Sequence, residues 1–332
     1  SHNLKSSPGM IIFKRIDSGG SDWWVFHRSL GTGNNSMLKL QDTTAALGYR
    51  VDTPNNHFSS VSSTSVTLTS LTGTAEYIMY LFGHNDNDGE YGSGADQDII
   101  KCGSYTGNGA TSGPTVDLGF EPQWILFKDS SSTGDWQIMD VMRGLAVDGD
   151  DKVLQPNTSS AEITYSGGKV NITPTGFQLR GSGAVNTSSR NYIYIAIRRG
   201  PMATPTAASD VFNVVQTTNA DPAYVSGFPT DFALWRETGS DAWRAVDRLR
   251  GNPYLQTHGT NAENADTDQT WDYMNGHYQY YISSSYYSWM WRRAPGYFDV
   301  VAYNGNGSAG NTINHNLGVV PEMMWVKQRP YS

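Results

Sequence analysis

The side chains with the types and spacing to do chemistry fall into a few groups. One is a carboxylate-dense loop, His84-Asn-Asp-Asn-Asp-Gly-Glu-Tyr-Gly-Ser-Gly-Ala-Asp-Gln-Asp98. Asp86, Asp88, Glu90, Asp96 and Asp98 are hard oxygen donors of the kind calcium takes, and Gly89 permits a sharp turn among them. The order departs from an EF-hand, with His84 at the first ligand position and Ala95 at the twelfth, so a solvated acidic loop is the plainer reading. Calcium is the one cofactor the sequence suggests, and no cofactor is required.

A second group is aromatic: Trp271-Asp-Tyr-Met-Asn-Gly-His-Tyr-Gln-Tyr-Tyr281, followed by Tyr286, Tyr287, Trp289 and Trp291. Alternate side chains of a strand share a face, and an exposed aromatic face stacks on sugar rings. Trp271, Tyr273, Tyr278 and Tyr280 would stack, while Asp272, Asn275, His277 and Gln279 would hydrogen-bond hydroxyls. The competing readings are a packed core and a subunit interface. For hydrolytic or nucleotide chemistry there is no GxSxG, HExxH or Walker loop. Asp140, Asp247 and Glu322 remain available as a glycosidase pair, because such pairs are recognised by their separation in space. No residue is assigned a catalytic role, and the expectation is a protein that is not an enzyme.

The elements that position these groups recur along the chain, and recurrence of this kind decides the fold before any motif does. A proline-led apolar segment is found at Pro8–Lys14, Pro122–Lys128 and Pro321–Lys327, with a copy one residue longer at Pro229–Arg236. After the first, second and longer copies comes a tryptophan element with fixed offsets: Trp23, His27 and Gly31; Trp136, Asp140 and Gly144; Trp243, Asp247 and Gly251. A position filled by His once and Asp twice reads as scaffold, a polar group tying a turn to the backbone. The three tryptophans read as core aromatics for the same reason. Arg143 and Arg250 share a further position.

A closing segment rich in Tyr and Ile follows at Tyr77–Phe82, Tyr192–Ile197 and Tyr286–Trp291, then a connector at Ile99–Tyr105, Val211–Val215 and Phe298–Tyr303. These short β-branched and aromatic runs, bounded by Gly, Asn, Ser and Pro, read as strands. Trp136–Arg143 fits a two-turn helix as well as a strand, and Gly144 ends either. The expected fold is all-β: three tandem antiparallel β-sandwich or jelly-roll-like repeats plus a partial fourth. The repeats are expected at 1–98 (its start truncated, with the acidic loop at 84–98), 99–210 and 211–296, and the partial unit at 297–332. That last segment is the end of a truncated array, or else donates a strand to another unit or a neighbouring chain.

Composition excludes other classes. The 332 residues carry 23 Lys+Arg against 31 Asp+Glu, a net charge of −8 with no basic block, which argues against nucleic acid as a partner. A single cysteine, Cys102, rules out a disulfide framework or a cysteine zinc site. No apolar run reaches the ~18–20 residues of a membrane-spanning helix. Charged residues are only 16%, but 10 Trp, 19 Tyr and 11 Phe are too many for a disordered chain.

One stretch also resembles a known group. Asp98-Ile-Ile-Lys-Cys-Gly-Ser-Tyr-Thr-Gly-Asn-Gly109, with Asp117-Leu-Gly-Phe-Glu-Pro-Gln-Trp-Ile-Leu-Phe-Lys128 and Gly134-Asp-Trp136, resembles repeated domains of virion proteins from marine tailed phages, cyanophages among them. The resemblance covers all three repeats and is closest over residues 75–145. The third departs most, with Arg236 in place of Lys. What the resemblance implies is an extracellular virion appendage: a tail fibre, spike or decoration without transferable catalytic residues. A homo-oligomer, possible trimers included, and other virion proteins are the implied partners. The alternative is a carbohydrate-binding module of a phage receptor tip or bacterial surface protein, contacting host surface glycan; a polysaccharide depolymerase is the third reading.

Overall fold

The computed structural model describes residues 1–4, 6–30, 36–48, 58–68, 74–86, 91, 97–200, 203–218, 220–265, 268–279 and 283–329. Among these the chain is all-β: antiparallel strands, with single 3-10 turns at Arg28–Leu30 and Ala208–Asp210. No helix among the described residues is long and apolar enough to cross a membrane.

Three sheets carry the architecture. In order, the first is Leu47–Gly48, Ser36–Lys39, Trp23–His27, Met10–Arg15 and Tyr77–Phe82. The second is Gln137–Asp140, Pro122–Asp129, Asn191–Arg198 and Ile100–Thr106. The third is Phe212–Gln216, Tyr286–Trp291, Phe232–Glu237, Arg244–Asp247 and Leu255–Gln256. In each, the proline-led strand lies between the tryptophan strand and the closing strand. Its side chains explain that place. Ile11 and Phe13, Ile125 and Phe127, and Ala233 and Trp235 are all fully buried, as a strand covered on its faces and flanked on both edges requires.

Register repeats with position. Lys14 lies opposite Ile78, Lys128 opposite Ile193 and Arg236 opposite Tyr287. The next pair is Arg15–Tyr77, Asp129–Tyr192 and Glu237–Tyr286. The extra residue after Pro229 is absorbed before the strand begins at Phe232, so it does not slip the ladder. A one-residue slip would turn every buried side chain to the other face.

The chain divides into two compact units. One comprises residues 1–139, 153–165 and 176–198; the other comprises 140–152, 166–175 and 199–332. The reason lies in the first unit. Met10, Val25 and Leu38 from the first sheet pack with Cys102, Leu126, Ile193 and Ile195 from the second in one core, so these two sheets are faces of a single body. The third sheet has its own core of Tyr224, Ala233, Trp235, Val246, Trp271 and Met290.

Residues 298–303 and 321–327, read as the opening strands of a fourth repeat, belong to no strand among the described residues. A strand's N–H and C=O groups need a neighbour, and among the described residues neither segment lies beside a strand in a ladder. Residues 136–140 resolve the helix-or-strand ambiguity as the strand Gln137–Asp140.

Trp136 joins the first core and its indole N–H donates to the Lys39 carbonyl at 2.9 Å. Trp136→Ala should therefore cost about 3–5 kcal/mol, read from urea unfolding of the chain. A cost below about 1 kcal/mol would contradict this packing.

Candidate functional site

Of the aromatic group predicted at residues 271–281, Trp271 and His277 lie in a buried stack in the second compact unit. The His277 ring lies between Tyr224 and Trp271, with centroid separations of 4.9 and 5.4 Å and near-parallel planes. The Arg248 guanidinium covers the Trp271 ring at 5.5 Å, and also donates to the Trp271 and Thr230 carbonyls. The Trp271 indole N–H is fixed by the Gly251 carbonyl at 2.9 Å. Each position follows from local structure: Gly276–His277 pairs with Tyr224–Val225 as a short antiparallel ladder, and Thr270 bridges Tyr278.

The imidazole is satisfied at both nitrogens. Nδ1 accepts from the Gln269 amide at 2.8 Å and Nε2 donates to the Ser288 hydroxyl at 2.9 Å. Burial pushes the His277 pKa down to about 3, helped by the nearby Arg248 charge, so the ring is neutral. A neutral, doubly bonded imidazole with both faces covered has neither a free proton acceptor nor a free face. Trp271 is likewise engaged, stacked with His277 and in contact with the Arg248 guanidinium.

The other predicted members are dispersed. Asp272 and Asn275 are exposed. Tyr273 is half-buried and its hydroxyl donates to the Asp221 carboxylate; burial, and then that hydrogen bond, push its pKa up. Tyr278 is half-buried and Gln279 buried; Tyr280 lies outside the described residues. The structure thus gathers Trp271 and His277, with Gln279 buried nearby in sequence, but not as an exposed row. Their partners Tyr224, Gln269, Arg248 and Ser288 were not foreseen. Only Gln269 and Ser288 lie within a dozen residues of His277, and neither belongs to a periodic pattern that would single it out.

The recurrent scaffold positions share one geometry. His27 Nδ1 accepts the Ser29 N–H at 3.2 Å, and its Nε2 donates to the Tyr194 carbonyl at 2.9 Å. Asp140 accepts the N–H groups of Met142 and Arg143 at 3.1 and 2.8 Å, and Asp247 accepts that of Arg250 at 2.9 Å. Each side chain holds the turn that leaves the tryptophan strand, which is why His and Asp can exchange there. Arg143 and Arg250 clamp the carboxylates through Nε at 2.6 and 2.5 Å. Gly144 and Gly251 close the turns at φ of 127° and 73°, conformations that favour glycine, while Gly31 lies outside the described residues. Burial pushes the His27 pKa down to about 4.

The tryptophans differ among themselves. Trp136 is buried, whereas Trp23 and Trp243 are half-buried. Trp23 lies under the Lys14 ammonium at 5.8 Å and Trp243 under the Arg236 guanidinium at 5.1 Å, the same cation position in two sheets.

Of the acidic loop, Asp88, Glu90 and Asp96 lie outside the described residues. Asp86 is exposed, and Asp98 is 3.8 Å from the Lys101 ammonium. Among the described residues no group of three His, Cys, Asp or Glu side chains could hold a metal ion.

A further buried carboxylate was also missed. Asp151 accepts the Lys169 and Val170 N–H groups at 2.5 and 3.0 Å, and burial pushes its pKa up to about 7. Nothing in its sequence surroundings separates it from Asp148 and Asp150.

The class these features define is an all-β protein with cores knitted by aromatic and turn-holding polar side chains. Residues 1–201 of the 332 match a family described as a domain of unknown function (DUF7483), and the chain belongs to that family. No curated protein and no solved structure matches it.

Acid stability follows from the two buried histidines. Their folded pKa values of about 3 and about 4 lie below the ordinary 6.5, so the unfolded chain takes up protons first. Their contribution is intact above pH 6.5 and is lost as pH falls towards 3–4. Asp151 acts oppositely, its contribution full below its ordinary 3.8 and lost as pH rises through 7. His277→Gln should flatten the fall of the urea midpoint between pH 6.5 and 4; an unchanged slope would contradict a neutral buried His277.

Proposed function

We infer that the chain is a non-enzymatic building block of an extracellular virion appendage, a tail fibre, spike or decoration, assembling through β edges and aromatic faces into a homo-oligomer. The observation that carries this is an exposed apolar run. Val320 is 87% exposed, and Met323, Met324, Trp325 and Val326 are 65–75% exposed. The same proline-led pattern is a buried central strand in each of the three sheets. A contiguous apolar run in water marks a surface that meets a partner.

The resemblance to phage virion proteins supplies the setting, and with it the trimer as one candidate state and other virion proteins as further partners. The carbohydrate reading has less support, because the aromatic faces it needs are occupied by His277, Tyr224 and Arg248. The hydrolase reading also has less support, because Asp140 and Asp247 are spent on their turns.

Sedimentation velocity over a range of concentrations tests the assembly. Association is expected to increase with concentration. The double change Val320→Ser with Trp325→Ser should weaken it at least tenfold while leaving the unfolding midpoint of the dilute protein in place. A monomer at every concentration, or association indifferent to that change, would overturn the reading.

A further inference from the structure

The three sheets are alike in their recurrent tryptophan and differ in the residue that follows it: Trp24, Gln137 and Arg244. Trp24 lies opposite Phe13 and Arg244 opposite Trp235. In the first and third sheets this side chain fills its place. Trp24 packs against the core of Ile11, Phe13, Phe26 and Met37. The Arg244 guanidinium lies over the Trp235 ring at 4.5 Å and donates to Asp241 at 2.7 Å. In the second sheet the shorter Gln137 lines a cavity of about 30 Å³, between the end of Pro122–Asp129, the loop that follows it and the loop that precedes Asn191. Gln137 is 7% exposed, and its Oε1 is buried with no hydrogen-bond partner among the described residues. A buried acceptor left unpaired is costly, and in a folded protein it points to a missing partner.

The other polar groups of the cavity divide into those already spent and those with capacity left. Asp129 is spent: its Oδ1 accepts the Ser131 and Ser132 N–H groups at 2.9 Å, and its Oδ2 accepts Arg190 at 3.0 Å. Lys128 is spent as well, donating to the Thr43 and Gly134 carbonyls at 3.1 and 2.7 Å. Arg190 gives one nitrogen to Asp129 and its side chain is 40% exposed, so further N–H donors of its fork remain at the cavity. Asp135 accepts Asn157 and Gln155 at 2.7 and 3.2 Å, one on each oxygen, and each oxygen keeps a second lone pair. The terminal torsion of Gln137 is soft, so a half-turn presents its oxygen or its nitrogen. Ala184 and Val185 add an apolar part to the lining. Ala184 and, next to Arg190, Ser189 hold φ of 47° and 62°, strained conformations of the kind that cluster at ligand sites.

We propose that this cavity binds one edge of a neutral sugar, with a hydroxyl that accepts from Arg190 and donates to Gln137 or Asp135. Charge selects neutrality, because Lys128 and Arg190 oppose an added ammonium while Asp129 and Asp135 oppose an added carboxylate. Size selects small groups: at ~10–15 Å³ for each water-sized group, 30 Å³ takes about two hydroxyls. A hydroxyl donates and accepts at one atom, as a cavity holding both a free donor and a free acceptor requires. The C–H groups of a sugar ring match Ala184 and Val185. The site works by hydrogen bonds and needs no stacking face, unlike the aromatic group at residues 271–281. It goes beyond the assembly reading above and does not depend on it.

Saturation-transfer NMR on the full chain tests the site, with glucose, galactose, mannose and N-acetylglucosamine as probes and glycerol as a polyol that is not a sugar. At least one sugar should bind saturably, and more tightly than glycerol. Gln137→Leu, which removes the amide at similar volume, should weaken that binding at least tenfold. Gln137→Arg, which copies the third sheet, should abolish it. The leucine variant should unfold at no lower urea concentration than the native chain, because the unpaired acceptor is gone. If either variant fails to fold, Arg190→Gln takes its place with the same tenfold loss expected. No saturable binding of any sugar, the result for a cavity that holds only water, would overturn the proposal. Binding that these variants leave unchanged would do the same. Glycerol bound as tightly as every sugar would overturn carbohydrate as the ligand.

Discussion

The rest of the structure depends on one constraint: an apolar proline-led strand must have a strand on each edge and cover on its faces. Met10–Arg15, Pro122–Asp129 and Phe232–Glu237 each lie inside their sheets, and alternate side chains in each are fully buried. The fixed register with the closing strand follows, because a slip of one residue would exchange the buried set for the exposed one. The packing of two sheets into one core follows as well. A sheet whose central strand is apolar on both faces cannot leave either face to water.

The polar side chains inside this frame serve the backbone. His27, Asp140 and Asp247 each accept N–H groups of the turn that leaves the tryptophan strand. A turn lacking that acceptor would bury unpaired donors, which costs about 1–3 kcal/mol for each group. The Arg248–Trp271–His277–Tyr224 stack does the same work in the third core, with each polar atom of the imidazole bonded. These groups look catalytic by type, yet their proton acceptors and aromatic faces are already engaged.

The strands were legible where periodicity and punctuation agreed. The closing strands at Tyr77–Phe82 and Tyr286–Trp291 have the expected bounds, and the connectors differ by one residue. Two things were not legible. The first was that the first two sheets form one body, because nothing in Met10 or Leu38 announces that its cover comes from Leu126 and Ile195. The second was the burial of Trp271 and His277. Alternation gives two faces but not which faces water, and that was decided by Tyr224 and Arg248, distant in sequence. The same lack of a local signal hid Asp151. Conversely, Phe298–Tyr303 and Pro321–Lys327 have strand patterns and no strands, since pattern supplies a preference and a ladder supplies the partner.

Hydrogen exchange of the monomeric chain tests this constraint most directly, because it reads the protection of each strand amide. Amides in Met10–Arg15, Pro122–Asp129 and Phe232–Glu237 should exchange at the slow limit set by global unfolding. Those in Pro321–Lys327, which have the same sequence pattern, should exchange within seconds. Comparable protection in all four segments would contradict the claim that flanking strands, rather than the proline-led sequence itself, make this element a strand.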